Sequence, residues 1–187
     1  MSASVGGSWP DSAGENRFCG VILRALPACS QQYAPMPKPL VAIIGSGPAG
    51  LAAAEVLATE ADVQVFDAMS APGRKFLLAG KSGLNLTHAE DFEAFLDRFG
   101  AARAVLEPAL RSFPPEAIRQ WAAGLGIETF VGSSGRVFPT VMKASPLLRS
   151  WLSRLRESGV TLYTHHRWQG WNGEGVLVFD TPDGVRK

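Results

Sequence analysis

Three glycines with the spacing G-x-G-x-x-G stand at Gly45, Gly47 and Gly50, inside the stretch Gly45-Ser46-Gly47-Pro48-Ala49-Gly50. In that spacing the first glycine permits a tight turn. The second lets the backbone approach a pyrophosphate, and the third lets a following helix pack closely on a preceding strand. A helix that starts there offers unpaired N–H groups and a partial positive charge to phosphates. Asp67 stands 22 residues beyond Gly45. A carboxylate at that distance can accept hydrogen bonds from ribose hydroxyls and disfavours a 2′-phosphate. The chemistry implied is the binding of a dinucleotide. Standing alone, the same glycines would serve equally well as a structural turn, so the flanking elements decide.

Those elements are the ones a phosphate site needs. LVAIIG (40–45) is a near-continuous apolar run, expected to be a strand buried on both faces. LAAAEVLATEA (51–61) is rich in strong helix formers, and DVQVFD (62–67) alternates as a second strand, with Asp67 at its end. Strand, glycine turn, helix and strand make a βαβ unit. A nicotinamide dehydrogenase usually continues with another plain βα unit. Here residues 70–88 instead carry three glycines and no clean period, which predicts a long loop with a short helical turn at most. Arg74 and Lys75 in this loop are placed to meet a pyrophosphate, or simply to be solvated; Asn85 and Thr87 suit the polar edge of a flavin, or local turn capping.

Further along, residues 91–113 predict a helix broken near Gly100, and PEAIRQWAAGLG (115–126) predicts a second helix ending on glycines. IETFVG (127–132) and SSGRVFPT (133–140) predict short strands about a turn. Ser145 is expected to cap, and Pro146 to begin, an amphipathic helix with Leu148, Trp151, Leu152 and Leu155 on one face. VTLYTHHRW (160–168) predicts a single strand, in which His165 and His166 point to opposite faces and cannot chelate one metal. GVLVFDT (175–181) with PDG (182–184) predicts the start of a hairpin, with the chain ending at Lys187 just where the partner strand should begin.

No metal is expected, and no nucleophile–base–acid constellation is visible, so no catalytic residue is assigned. His88 is expected to be a hydrogen-bonded structural residue, the five tryptophans mostly anchors, and the basic stretch Arg136–Arg156 a solvated face. The chain has 187 residues, 46% of them hydrophobic, with 19% charged and a formal net charge of +1. Disorder of the whole chain and electrostatic attraction to nucleic acid or anionic membrane are therefore not expected. No apolar run approaches the ~20 residues of a membrane span. Two cysteines, Cys19 and Cys29, make no disulfide scaffold, which points to a reducing, cytoplasmic setting. Residues 1–36, rich in Ser, Gly and Pro, are expected to be disordered or an extension, with Met36 as the natural start.

VAIIGSGPAGLAAAEVLA, GRKFLLAGKSGLNLTH and GSSGRVFPTVMKASPLLRSWLSRLRESGV together resemble the BaiN / aminoacetone-oxidase-like family of FAD-dependent flavoproteins. The nearest likeness is to its bacterial branch, whose loop reads AGKSGLNLTH. The resemblance runs from about Leu40 to Trp171. It implies an α/β, Rossmann-like, doubly wound parallel sheet with FAD as cofactor. It further implies that residues Gly45–Gly50, with Ser46, Pro48 and Ala49 among them, bind the cofactor. Within that stretch Gly45, Gly47 and Gly50 would hold its pyrophosphate, with Asp67 on the adenosine ribose, and Arg74 and Lys75 on the phosphate and ribose side. Asn85 and Thr87 fall on the loop near the flavin, and Ser134–Thr140 is a second family mark. One departure is Thr59-Glu60-Ala61-Asp62, where such fingerprints usually carry a glycine.

Members of that family are about twice this length and return with a second Gly-rich segment. Residues 37–187 are accordingly expected to be the N-terminal portion of the FAD domain, incomplete, binding FAD weakly or not at all alone. The implied function is FAD-dependent oxidoreduction of a small organic molecule, with a reduced nicotinamide as a possible electron donor. An NAD-binding dehydrogenase or regulatory module, and a fragment without cofactor, are the alternatives.

Overall fold

The computed structural model describes residues 37–187, so the expectations for residues 1–36 lie outside the described residues. The unit Lys38–Lys187 opens with the βαβ unit that the sequence implies. Strand β1 (Leu40–Ile44) leads through the glycine turn into helix α1 (Pro48–Leu57), which returns to strand β2 (Asp62–Phe66). β1 and β2 are parallel, with Leu40 opposite Asp62 and Ile44 opposite Phe66. A third parallel strand, β6 (Thr161–Tyr163), pairs with the other side of β2, giving the order β1-β2-β6.

The expectation that β1 is buried on both faces is not met. Val41 and Ile43 pack on the core, but Leu40 and Ile44 are 67% and 43% exposed. Among the described residues β1 is an edge strand paired with β2 alone, and its alternate residues Leu40, Ala42 and Ile44 form an exposed face.

The core lies between this sheet and two helices. Leu51 and Ala54 of α1, with Ala58 at its C-terminal cap, cluster with Val63 and Val65 of β2 and the apolar stripe of helix α6 (Ala144–Glu157). That stripe is Leu147, Leu148, Trp151, Leu152 and Leu155, spaced three and four apart as a helix facing a core requires. α6 begins at Ala144, one residue before the expected cap. Ser145 makes no cap, and Pro146 sits within the first turn, where its missing N–H costs nothing.

Residues 70–88 are more ordered than the expected loop, and the helix over 91–113 is broken near Gly100 as expected. Helix α2 (Arg74–Ala79) packs on α6, followed by the two-residue strand β3 (Thr87–His88), helix α3 (Phe92–Asp97), a 3₁₀ turn and helix α4 (Arg103–Ser112). Glu93 of α3 accepts hydrogen bonds from both Arg103 and Arg111 of α4, clasping the two helices across the break at Gly100. Helix α5 (Pro115–Gly124) follows, then strands β4 (Thr129–Val131) and β5 (Arg136–Pro139), which form an antiparallel sheet with β3 in the order β3-β5-β4.

Residues 160–168 are not one strand. β6 stops at Tyr163, His165 takes a left-handed backbone with φ 57°, and strand β7 (Arg167–Trp171) starts anew. β7, β8 (Leu177–Thr181) and β9 (Gly184–Arg186) form an antiparallel meander, so the partner strand of the hairpin lies within the chain. Phe179 of β8 stacks on Phe66 at 4.5 Å, which covers the end of β2 on the face opposite α1.

Candidate functional site

The glycine turn is shaped by its two ends. Gly45 has φ 100°, a conformation that side-chain-bearing residues rarely adopt, and its N–H continues the ladder to the Phe66 carbonyl at 2.7 Å. A β-carbon on Gly50 would stand 1.9 Å from the Gly45 carbonyl oxygen, so only glycine lets α1 cross β1 this closely. Gly47, by contrast, has nothing within 4 Å of where a β-carbon would sit. The turn is therefore open on the side that faces the start of the helix.

No side chain caps α1, and Pro48 fills its first position. The amides of Gly47, Ala49 and Gly50 precede any intrahelical acceptor, as the first turn of a helix must leave them. The cradle thus offers a glycine-smooth surface, free N–H groups and the positive end of a ten-residue helix.

Asp67 closes one side of the turn. Its Oδ2 accepts the Ser46 amide at 2.7 Å and the Ser46 hydroxyl, and its Oδ1 accepts the Met69 amide at 2.8 Å. Burial alone would raise the carboxyl pKa. The Ser46 hydroxyl, the two amides and the positive charge of Arg74 outweigh it, and Asp67 is held below its ordinary value. Its backbone is fixed on both sides: its N–H donates to the Tyr163 carbonyl, and its carbonyl accepts the His166 amide.

The start of α2 is fastened to the same turn, because the Gly73 amide donates to the Ser46 carbonyl at 2.9 Å. Gly73 has φ 68°, and a β-carbon there would meet the Leu148 side chain at 2.7 Å. This fixes Arg74 and Lys75 in the first turn of α2, beside the glycine turn rather than on a wandering loop.

Beyond the turn runs a cleft of about 910 Å³. Pro48, Lys75 and Asn85 belong to its rim and walls, and Phe76, Leu84 and Trp121 give it an apolar character. Of the residues singled out in the sequence, Gly45, Ser46, Gly47, Gly50, Asp67 and Arg74 gather at the turn, and Lys75 and Asn85 share the cleft. Thr87 stands apart: it is 7% exposed, opposite Val137 in the β3–β5 ladder, with its hydroxyl unpartnered. His88 is structural, its Nε2 lying 2.9 Å from the Ser134 carbonyl and its Nδ1 3.1 Å from Glu90. His166 turns inward against Phe66, Tyr163 and Phe179. No group of three potential metal ligands exists among the described residues.

One cluster has no signal in the sequence. Glu55 of α1 accepts the indole N–H of Trp121 at 3.0 Å and of Trp151 at 2.7 Å on Oε2, and Arg154 at 2.8 Å on Oε1. It pins α5 and α6 to α1 at the base of the cleft. Arg154 is thus a partner of a core helix, not part of a solvated face. Trp121 and Trp151 act as anchors, whereas Trp168 and Trp171 are 41% and 65% exposed.

The family model described as the HI0933-like protein Rossmann domain matches residues 39–185. Among solved structures, the chain is similar to the 3-ketosteroid-Δ4-(5α)-dehydrogenase of Rhodococcus jostii RHA1, crystallised with 4-androstene-3,17-dione. The TM-score is 0.52 at 16% identity, over 83% of this chain and 45% of that one. It is also similar to THI4 of Thermovibrio ammonificans, with TM-score 0.44, 18% identity, and 78% and 48% of the two chains covered. A third is the OxyS anhydrotetracycline hydroxylase of Streptomyces rimosus, with TM-score 0.40, 17% identity, and 81% and 30% covered. The chain spans less than half the length of each of these structures. A comparison with curated proteins finds no match.

Proposed function

This chain belongs to the HI0933-like Rossmann-domain family, the FAD-binding family whose marks its sequence carries, and from that membership we propose that it holds FAD for an oxidoreductase reaction. The carrying observation is the open cradle: free amides of Gly47, Ala49 and Gly50, unobstructed space over Gly47, and a fixed carboxylate at Asp67. These residues fit a dinucleotide. The α1 amides would bind the diphosphate, and Asp67 would accept one ribose hydroxyl. Arg74 and Lys75 would add positive charge beside the phosphates, and Asn85 would donate or accept at the flavin end. FAD, when bound, supplies the redox chemistry. The protein's share is to orient the cofactor and to exclude water along the apolar cleft. That share needs no acid–base dyad, which agrees with the lack of one in the sequence.

The electron donor we propose is a reduced nicotinamide, and the substrate a small organic molecule. Nucleic acid and membrane are not proposed as partners. The near-neutral net charge supports this, and no helix among the described residues is long and apolar enough to cross a membrane. A cytoplasmic setting is proposed from the sparse cysteines alone.

Titration of the 187-residue chain with FAD and with NADH, followed by quenching of flavin and nicotinamide fluorescence, tests the assignment. FAD binding at a lower concentration than NADH supports it. Tight NADH with no FAD binding makes the site a nicotinamide site, and binding of neither removes the cofactor from this chain.

A further inference from the structure

We propose that Ser46 is a positioning residue for the dinucleotide site, its hydroxyl holding the Asp67 carboxylate in one orientation and so setting the bend of the glycine turn before a ligand arrives. This rests on the reading of the turn as the diphosphate cradle.

Ser46 is fully buried, so its side chain does not reach a ligand. All three of its polar groups are committed. The amide and the hydroxyl both donate to Asp67 Oδ2, and the carbonyl accepts the Gly73 amide. It therefore joins the turn to the end of β2 and to the start of α2 at once. The neighbours it joins have little stiffness of their own, because Gly45, Gly47 and Gly50 lack side chains and surrender the most backbone freedom on ordering. A carboxylate offers about four acceptor positions. Three donors already occupy Asp67, which leaves one position on Oδ1 for a ribose hydroxyl. The terminal torsion of an aspartate is otherwise broad. Without the hydroxyl, the carboxylate could rotate away from the ribose and release the turn.

The test is a double-mutant cycle in the 187-residue chain with Ser46→Ala, Asp67→Asn and the two combined. Calorimetric titration would use FAD and ADP, and thermal midpoints would be taken in parallel. ADP carries the diphosphate and the adenosine ribose but no flavin. Ser46→Ala should weaken both ligands about tenfold, the scale of losing a hydrogen bond to a charged group. It should add less than about twofold once Asp67 is already asparagine. Ser46→Cys, similar in shape but a weak donor, should lose affinity by a similar factor. An equal loss in the Asp67→Asn background overturns the proposal, as does a fall in midpoint with unchanged affinity. If the wild-type chain binds neither FAD nor ADP, the cradle reading fails and the proposal with it. That failure is distinguishable, because the Ser46–Asp67 coupling would persist in the thermal midpoints while ligand binding was nil.

Discussion

The α-carbon of Gly50 lies so close to the Gly45 carbonyl that any β-carbon would sit 1.9 Å from the oxygen and 3.1 Å from its carbon. Both atoms are backbone and cannot swing aside. Gly50→Ala must therefore push α1 off β1, and we expect a loss of at least ~3 kcal/mol, or roughly 6–12 °C in thermal midpoint. Gly47→Ala is the contrast. Its φ of −74° suits alanine, and its β-carbon enters open space. The midpoint should hold within ~2 °C. FAD affinity should fall on the order of tenfold or more, because the methyl stands where the diphosphate must approach. Differential scanning fluorimetry beside flavin titration checks both. A Gly47→Ala chain that binds FAD normally would place the diphosphate elsewhere.

Glu55 carries a separate expectation. It joins three partners from two other helices through one side chain. Glu55→Ala strands two indole N–H groups and an arginine that is mostly covered. The cost should be about 2–4 kcal/mol, well above that of an exposed ion pair. Urea unfolding followed by tryptophan emission is the measurement, since Trp121 and Trp151 are themselves reporters. A loss under ~0.5 kcal/mol would mean that the apolar contacts alone hold α5 and α6 in place.

Asp67 gives the pH dependence. Its folded pKa lies below the ordinary 3.8, so the stability it contributes is complete above that value and is lost as pH falls through the lower, folded one. The stability difference between the wild-type chain and Asp67→Asn should then be constant from neutral pH to about pH 5 and shrink below about pH 4. Denaturant midpoints across that range decide it. A difference that grows on acidification would reverse the sign and show that burial, not the Ser46 and Met69 donors, dominates.

The sequence discloses what is local and hides what is not. The βαβ unit, the glycine turn and Asp67 are readable because strand alternation, alanine-rich helix and glycine spacing act over about thirty residues. The stripe of α6 is readable for the same reason. Glu55 looks like a stray polar residue in an alanine helix, since its partners arrive 66, 96 and 99 residues later. The apolar run of β1 correctly signals a strand but not its exposed face, because which neighbours cover a strand is a property of the sheet. The break between β6 and β7 turns on one left-handed residue, His165, which carries no glycine to announce it. Ser46 reads in the sequence as one cofactor-binding residue of the motif, whereas the fold makes it the buried partner of Asp67.

The family mark Ser134–Thr140 has its own test at Gly135. With φ 76°, a β-carbon there would lie 2.5 Å from His88 Cε1, and the His88 ring is held by the Ser134 carbonyl. Two costs combine in Gly135→Ala: the left-handed backbone of a residue with a side chain, and the displacement of the ring. Together they should amount to about 2–4 kcal/mol. Pairing it with His88→Ala removes the second cost but not the first, so the double variant should recover part of the loss caused by Gly135→Ala. Thermal midpoints of the two single variants and the double variant give that coupling directly. Strict additivity would show that the ring yields freely, and that only the backbone conformation requires glycine at this position.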